Sequence, residues 1–133
     1  MENWVEVSLP TGHRLCVPPR LSGGDDQGMD TTIATWSGPG IQILVDDGPF
    51  ADPLTSYARR PNHWTSEETI DGQPARIVGF DDDDGTRVVA AHFPGSVAGS
   101  GVSDRLTILV RIEPGGDQEV ARKIIRSFRF GGR

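Results

Sequence analysis

The run at residues 105–113, RLTILVRIE, alternates. Leu106, Ile108, Val110 and Ile112 fall on one side, and Arg105, Thr107, Arg111 and Glu113 on the other. A period of two is the mark of a β-strand with one face buried, because successive side chains leave opposite faces of the pleat. Such a strand needs a sheet around it and an apolar layer against its buried face. One position breaks the alternation: Leu109 falls on the polar side.

A covering layer follows directly. Past Pro114, Gly115 and Gly116, Asp117 is a candidate N-cap for QEVARKIIRSF. Val120, Ile124 and Phe128 recur at i, i+4 and i+8 with Ala121 and Ile125 beside them, which predicts an amphipathic helix that ends the domain. Glu119 near its start and Arg122, Lys123 and Arg126 toward its end complement the helix dipole.

Upstream, WVEVSLP places Val5, Val7 and Leu9 on one side of a strand. A turn at Pro10, Thr11 and Gly12 leads to HRLCVPP, a second strand stopped by Pro18 and Pro19. TTIATW and GIQILVD read as a hairpin across Ser37, Gly38 and Pro39, with Ile41, Ile43 and Val45 sharing a face. HWTSEETI reads as a polar edge strand. DGQPARIVGF and GTRVVAAHF flank four aspartates and Gly85, a hairpin signature in which Gly85 supplies a positive φ.

Three segments read differently. LSGGDDQGMD (residues 21–30) and PGSVAGSGVSD (residues 94–104) have no period and are expected as loops. FADPLTSYARRP predicts a short helix: Asp52 as N-cap, Pro53 at the first position, Leu54, Tyr57 and Ala58 as one stripe, and Pro61 as the stop. Hairpin-length links predominate. The expected fold is therefore α+β: a mainly antiparallel sheet packed with helices, in a single domain over residues 1–133.

Few chemistries survive inspection. A calcium loop ending its glycine turn at Gly85 would begin at Phe80 and finish at Ala91, and neither is a ligand, so Asp81 to Asp84 are expected to form a solvated turn. Lys123, the only lysine, does not follow a glycine, which excludes a P-loop, and G-x-S-x-G and H-E-x-x-H are absent. GPGIQI precedes a strand where a phosphate loop would precede a helix. His13, His63 and His92 are far apart in sequence. Cys16 stands alone, so it forms neither an internal disulfide nor a multi-cysteine metal site. His13 lies three residues from Cys16, a spacing that sends strand side chains to opposite faces. No catalytic, cofactor-binding or metal-binding residues are assigned.

A net charge of −6 without a basic run argues against nucleic acid and anionic membrane surfaces, and no stretch is apolar enough to span a bilayer. MENWVEVSLP has neither the basic nor the apolar region of a signal peptide, so a soluble, cytoplasmic domain is expected; a signal preceding Met1 would place it in the envelope or periplasm. The segment at 46–64 gathers Phe50, Tyr57, Arg59, Arg60, His63 and Trp64. Aromatic residues with arginine are the composition of binding hot spots; the same aromatics could equally anchor a helix to the sheet. Of these, Phe50, Tyr57, Arg59, Arg60 and Trp64 are the candidate interaction residues.

Three pieces together carry a family resemblance: VSLPTGHRLCVPP, IDGQPARIVGF and LTILVRIEPGGDQEVARKIIRSFRF. They resemble the first hairpin, the central turn into a strand, and the closing strand, link and helix of the PsbP-like superfamily. That family includes the extrinsic PsbP subunit of photosystem II, the Ran-binding Mog-type proteins and bacterial domains. The resemblance implies an antiparallel sheet sandwiched by helices (α/β/α), and a binding or assembly role, chaperone-like in some bacterial relatives. It supplies no catalytic residues. The chain departs from better-known members in lacking a transit peptide and in its Gly/Asp-rich stretch at 21–30.

Three functions are thus on the table. The first is a non-enzymatic domain that binds a protein partner. The second is a small-molecule or lipid-binding pocket lined by Trp36, Leu44 and Leu109. The third is a small hydrolase pairing His92 with an aspartate of the acidic turn.

Overall fold

Residues 105–112 occupy the middle of a seven-stranded antiparallel sheet, paired on both sides. The computed structural model describes residues 4–9, 13–19, 21–27, 32–47, 54–94 and 105–130. Among these are nine strands: β1 (Val5–Ser8), β2 (Arg14–Val17), β3 (Ser22–Gln27), β4 (Thr32–Gly38), β5 (Ile41–Asp47), β6 (Trp64–Ile70), β7 (Gln73–Asp81), β8 (Arg87–Pro94) and β9 (Arg105–Ile112). One helix follows, α1 (Gln118–Arg126). The large sheet runs β3-β4-β5-β9-β8-β7-β6; β1 and β2 form a separate ribbon. Two meanders, β3-β4-β5 and β6-β7-β8, are therefore joined by β9.

The expected α+β class, with helices sandwiching the sheet as in PsbP-like proteins, is not what forms. The described residues are mainly β, with one short helix on one face. Two local outcomes account for the difference. Residues 54–60 make turns where a helix was expected, and Leu54 sits at φ 62. A helix confined between two prolines completes too few hydrogen bonds to repay its nucleation. Conversely, residues 22–27 form a strand where a loop was expected, paired along its whole length with β4. Its low β-propensity is offset by the free edge of β4 and by Trp36, whose ring covers Gly23 so closely that a Cβ there would lie 2.1 Å from Trp36 Cδ1.

The hairpins follow their turn residues. Asp71 and Gly72, at φ 50 and 79, link β6 to β7 with both central residues in the left-handed region, the primed turn whose twist suits a hairpin. Between β7 and β8, Gly85 at φ 86 donates its N–H to Asp82 O at 2.9 Å.

The face of the sheet toward α1 carries the main core: Ile43, Val45, Ala91, Phe93, Leu106, Ile108 and Val110 meet Ala121, Ile124, Ile125 and Phe128. Each such large side chain contributes about 1.5–3 kcal/mol on full burial. Asp117 caps α1, accepting from Glu119 N at 2.9 Å. The helix stops at Arg126, and Ser127 ties it to the ribbon by accepting from Cys16 N (2.9 Å) and donating to Ile124 O (2.6 Å). Arg129 then pairs with Arg14 through two backbone hydrogen bonds of 2.9 Å, which extends the ribbon over the same face. His13 is buried there against the rings of Phe128 and Phe130, which also pack on each other.

Candidate functional site

The opposite, outer face carries no helix among the described residues, and its rows follow from strand register. Ser37, Gln42, Arg111, Val88 and Phe80 make one row. Thr35, Leu44, Leu109, Ala90 and Val78 make the next. Ile33, Asp46, Thr107, His92 and Arg76 make the third.

The β7–β8 half of this face is covered by the segment at 54–62. Leu54 is buried in a second cluster with Val78, Phe80, Val88 and Ala90; Leu109 packs against its side, and Tyr57 stacks on Phe80 with ring centroids 4.5 Å apart. Asp81 N donates to Pro61 O at 2.8 Å, and Asn62 Nδ2 donates to Asp81 Oδ2 at 2.6 Å. The acidic turn fastens the segment. Arg60 reaches both Asp82 and Asp83 at 3.2 Å, and Arg111, from the central strand, donates to Asp82 at 2.8 Å. Two of the four aspartates are thus more than a solvated turn: Asp82 and Asp83 clasp Arg60 from the covering segment, and Asp82 also Arg111 from β9.

The hydrogen bond from Arg111, then that from Asp83 N–H, lowers the Asp82 carboxyl below its ordinary value. Asp84 is lowered by its bonds to Thr86, first the backbone N–H and then the hydroxyl. Among the described residues, no group of three or more His, Cys, Asp or Glu is placed to hold a metal ion.

The structure does not gather the candidate interaction residues on one surface. Phe50 lies outside the described residues. Tyr57 is half-buried on the outer face, and Arg60 is held by the aspartates. Arg59 is exposed and makes no ion pair or hydrogen bond among the described residues. His63 is half-buried beside Leu54 and Arg76 at a depression of about 180 Å³. Trp64 belongs to the inner face. Its ring lies over Gly79, with the Arg122 guanidinium 4.5 Å from its centroid, so it anchors α1 to the sheet. Strand parity explains the split: Trp64 shares a row with Gly79, Val89 and Val110, whose side chains point at the helix.

The residues proposed to line a lipid or small-molecule pocket are divided in the same way. Leu44 and Leu109 are direct cross-strand neighbours on the outer face, whereas Trp36 is on the inner one. His92 does not meet the acidic turn. It lies five residues along β8 from Arg87, the partner of Asp81, or roughly 17 Å at strand rise, and its Nδ1 is 2.8 Å from Thr107 Oγ1.

Leu44 and Leu109 were named from the sequence as pocket residues; what sequence reasoning missed is that they are half-buried side by side on the two central strands β5 and β9, on the face opposite Trp36. The signal was the break in alternation at Leu109. Next to the pair, Ser37, Gln42, Thr86, Arg111 and Glu113 border an open depression of about 450 Å³. No family model, curated protein or solved structure matches this chain.

Proposed function

We propose that this chain acts by binding a protein partner, as an assembly or chaperone-like factor without turnover chemistry of its own. The observation that carries this reading is the Leu44–Leu109 pair, half-buried on the outer face. Alternation would place polar residues at both positions. Full burial under a partner would add on the order of 1 kcal/mol for each leucine. Tyr57 lies on the same outer face, stacked on Phe80, and the Arg60–Asp82–Arg111 clasp holds that neighbourhood in one shape. A preformed surface loses less entropy on association.

The test is affinity capture from an extract of the native host on the immobilised chain, compared with Leu44→Asp and, on the solvent side of α1, Lys123→Asp. The reading expects a partner retained by the parent and by Lys123→Asp and lost with Leu44→Asp. The same proteins on all three supports would overturn it.

A further inference from the structure

We infer that the free edge of β6 accepts an extended, basic segment of a partner protein as an added strand. The inference does not depend on the outer-face reading. Among the described residues, β6 ends the sheet order and pairs only with β7. Its register runs unbroken from Trp64↔Gly79 to Ile70↔Gln73, so the edge has no bulge, and its sequence WTSEETI has neither proline nor lysine. Proline, lysine, bulges, shortness and inward-pointing charges are the usual ways of closing an edge; the one inward charge of β6, Glu68, is neutralised by Arg126. Seven residues present about 23 Å of strand whose outward N–H and C=O groups lack a strand partner among the described residues. The other edge of the sheet, β3, contains two consecutive glycines, which make a weaker template.

The side chains define the occupant. Glu68, on the inner row, is neutralised by Arg126 at 3.1 and 3.3 Å. Glu67, on the outer row between Thr65 and Thr69, is exposed and makes no ion pair or hydrogen bond among the described residues; Arg76 lies opposite it on β7 without closing a bridge. An added strand puts one residue directly across from Glu67, and a lysine or arginine there completes a cross-strand pair. On the inner row, the half-buried ring of Trp64 has Gly79 behind it and Arg122 above it, so an apolar partner residue would close its remaining side. The segment that fits therefore alternates apolar inward residues with polar outward ones and carries a cation at the outward centre. A second copy of this chain fits poorly. Antiparallel pairing of β6 with itself about Glu67 sets the two glutamates opposite each other, and both chains carry a net charge of −6.

The probe is the capped peptide Val-Thr-Val-Arg-Val-Thr-Val, with Glu-centred and Thr-centred controls and two N-methylated forms modified at alternate residues in either phase. Amide exchange and NMR shifts at residues 64–70 are the readout. The inference expects protection at alternate amides of β6 and binding by only one N-methyl phase, because backbone pairing uses every second N–H. It expects the Arg-centred peptide to bind about three- to fivefold more tightly than the Thr-centred one, and Glu67→Lys to reverse the preference between Arg- and Glu-centred peptides. Equal binding of both N-methyl phases, or no protection at millimolar peptide, overturns it. Protection of the same amides that grows with protein concentration alone assigns the edge to a second copy and also overturns it.

Discussion

Replacing Gly79 with alanine tests the packing of Trp64 against the sheet. A Cβ at position 79 would lie 2.2 Å from Trp64 Cε2, 2.3 Å from Nε1 and 2.5 Å from Cζ2. Carbon atoms rest at about 3.5–4.0 Å, so the ring must retreat by more than about 1 Å. It is confined from above by Arg122. Overpacking of this kind costs about 1–3 kcal/mol, and disturbing the cation–π contact adds about 0.5–1 kcal/mol. The gain from replacing a strand glycine offsets about 0.5–1 kcal/mol. The expected net loss is about 1–3 kcal/mol, and for a domain of this length each of those is worth about 3–5 °C in Tm. Urea unfolding at 25 °C, followed by tryptophan fluorescence, gives the value directly. Trp64→Leu removes the obstruction, so the double variant should be more stable than the sum of the two single losses predicts. A Gly79→Ala protein as stable as the parent, or strictly additive losses, would refute the packing described for β6, β7 and α1.

Phe128 is fully buried against Phe93, Phe130 and His13, and Phe128→Ala should cost about 3–5 kcal/mol in the same assay; a near-native midpoint would show that the chain end is peripheral. The Asp82 carboxyl is lowered from 3.8, so its stabilising contribution is complete above the unfolded value and disappears as pH falls through the lower folded value. Asp82→Asn should therefore reduce stability at pH 7 and flatten the acid-unfolding curve below about pH 4, whereas parallel curves would mean the clasp contributes nothing. Since Arg60 and Arg111 already occupy Asp82, millimolar calcium should leave Tm unchanged, and a rise of several degrees that is lost in Asp82→Asn would contradict this. Arg59→Ala should change stability by less than about 0.5 kcal/mol, so weakened partner binding in this variant would report on contact alone.

The elements legible in the sequence were those whose own period decides them. RLTILVRIE became the central strand, QEVARKIIR the capped helix, and the aspartate run with Gly85 a hairpin turn. Where neighbours decide, the sequence was mute or misleading. Residues 22–27 have the composition of a loop and form a strand because β4 and Trp36 receive them. Residues 54–60 carry a helical stripe, yet Leu54 and Tyr57 are drawn to Val78 and Phe80, which follow them in the chain and lie on the sheet. Trp64 was grouped with Tyr57 because they are seven residues apart, but the row of a strand residue depends on register, and register with Gly79 sends it to the other face. Of the residues grouped with Trp64, Tyr57 does lie on the outer face, while Arg60 is taken up by Asp82 and Asp83. The leucine pair needed the pairing of β5 with β9.

The central claim is that the outer face at Leu44 and Leu109 is a protein-binding surface. A photo-crosslinking amino acid placed at position 44, and in a second protein at position 123 on the solvent side of α1, tests it in an extract of the native host. The account predicts a discrete crosslinked species from position 44 that is absent from position 123 and is abolished by Leu109→Asp in a chain that still unfolds cooperatively. Identical products from both positions, or none from position 44, would contradict it.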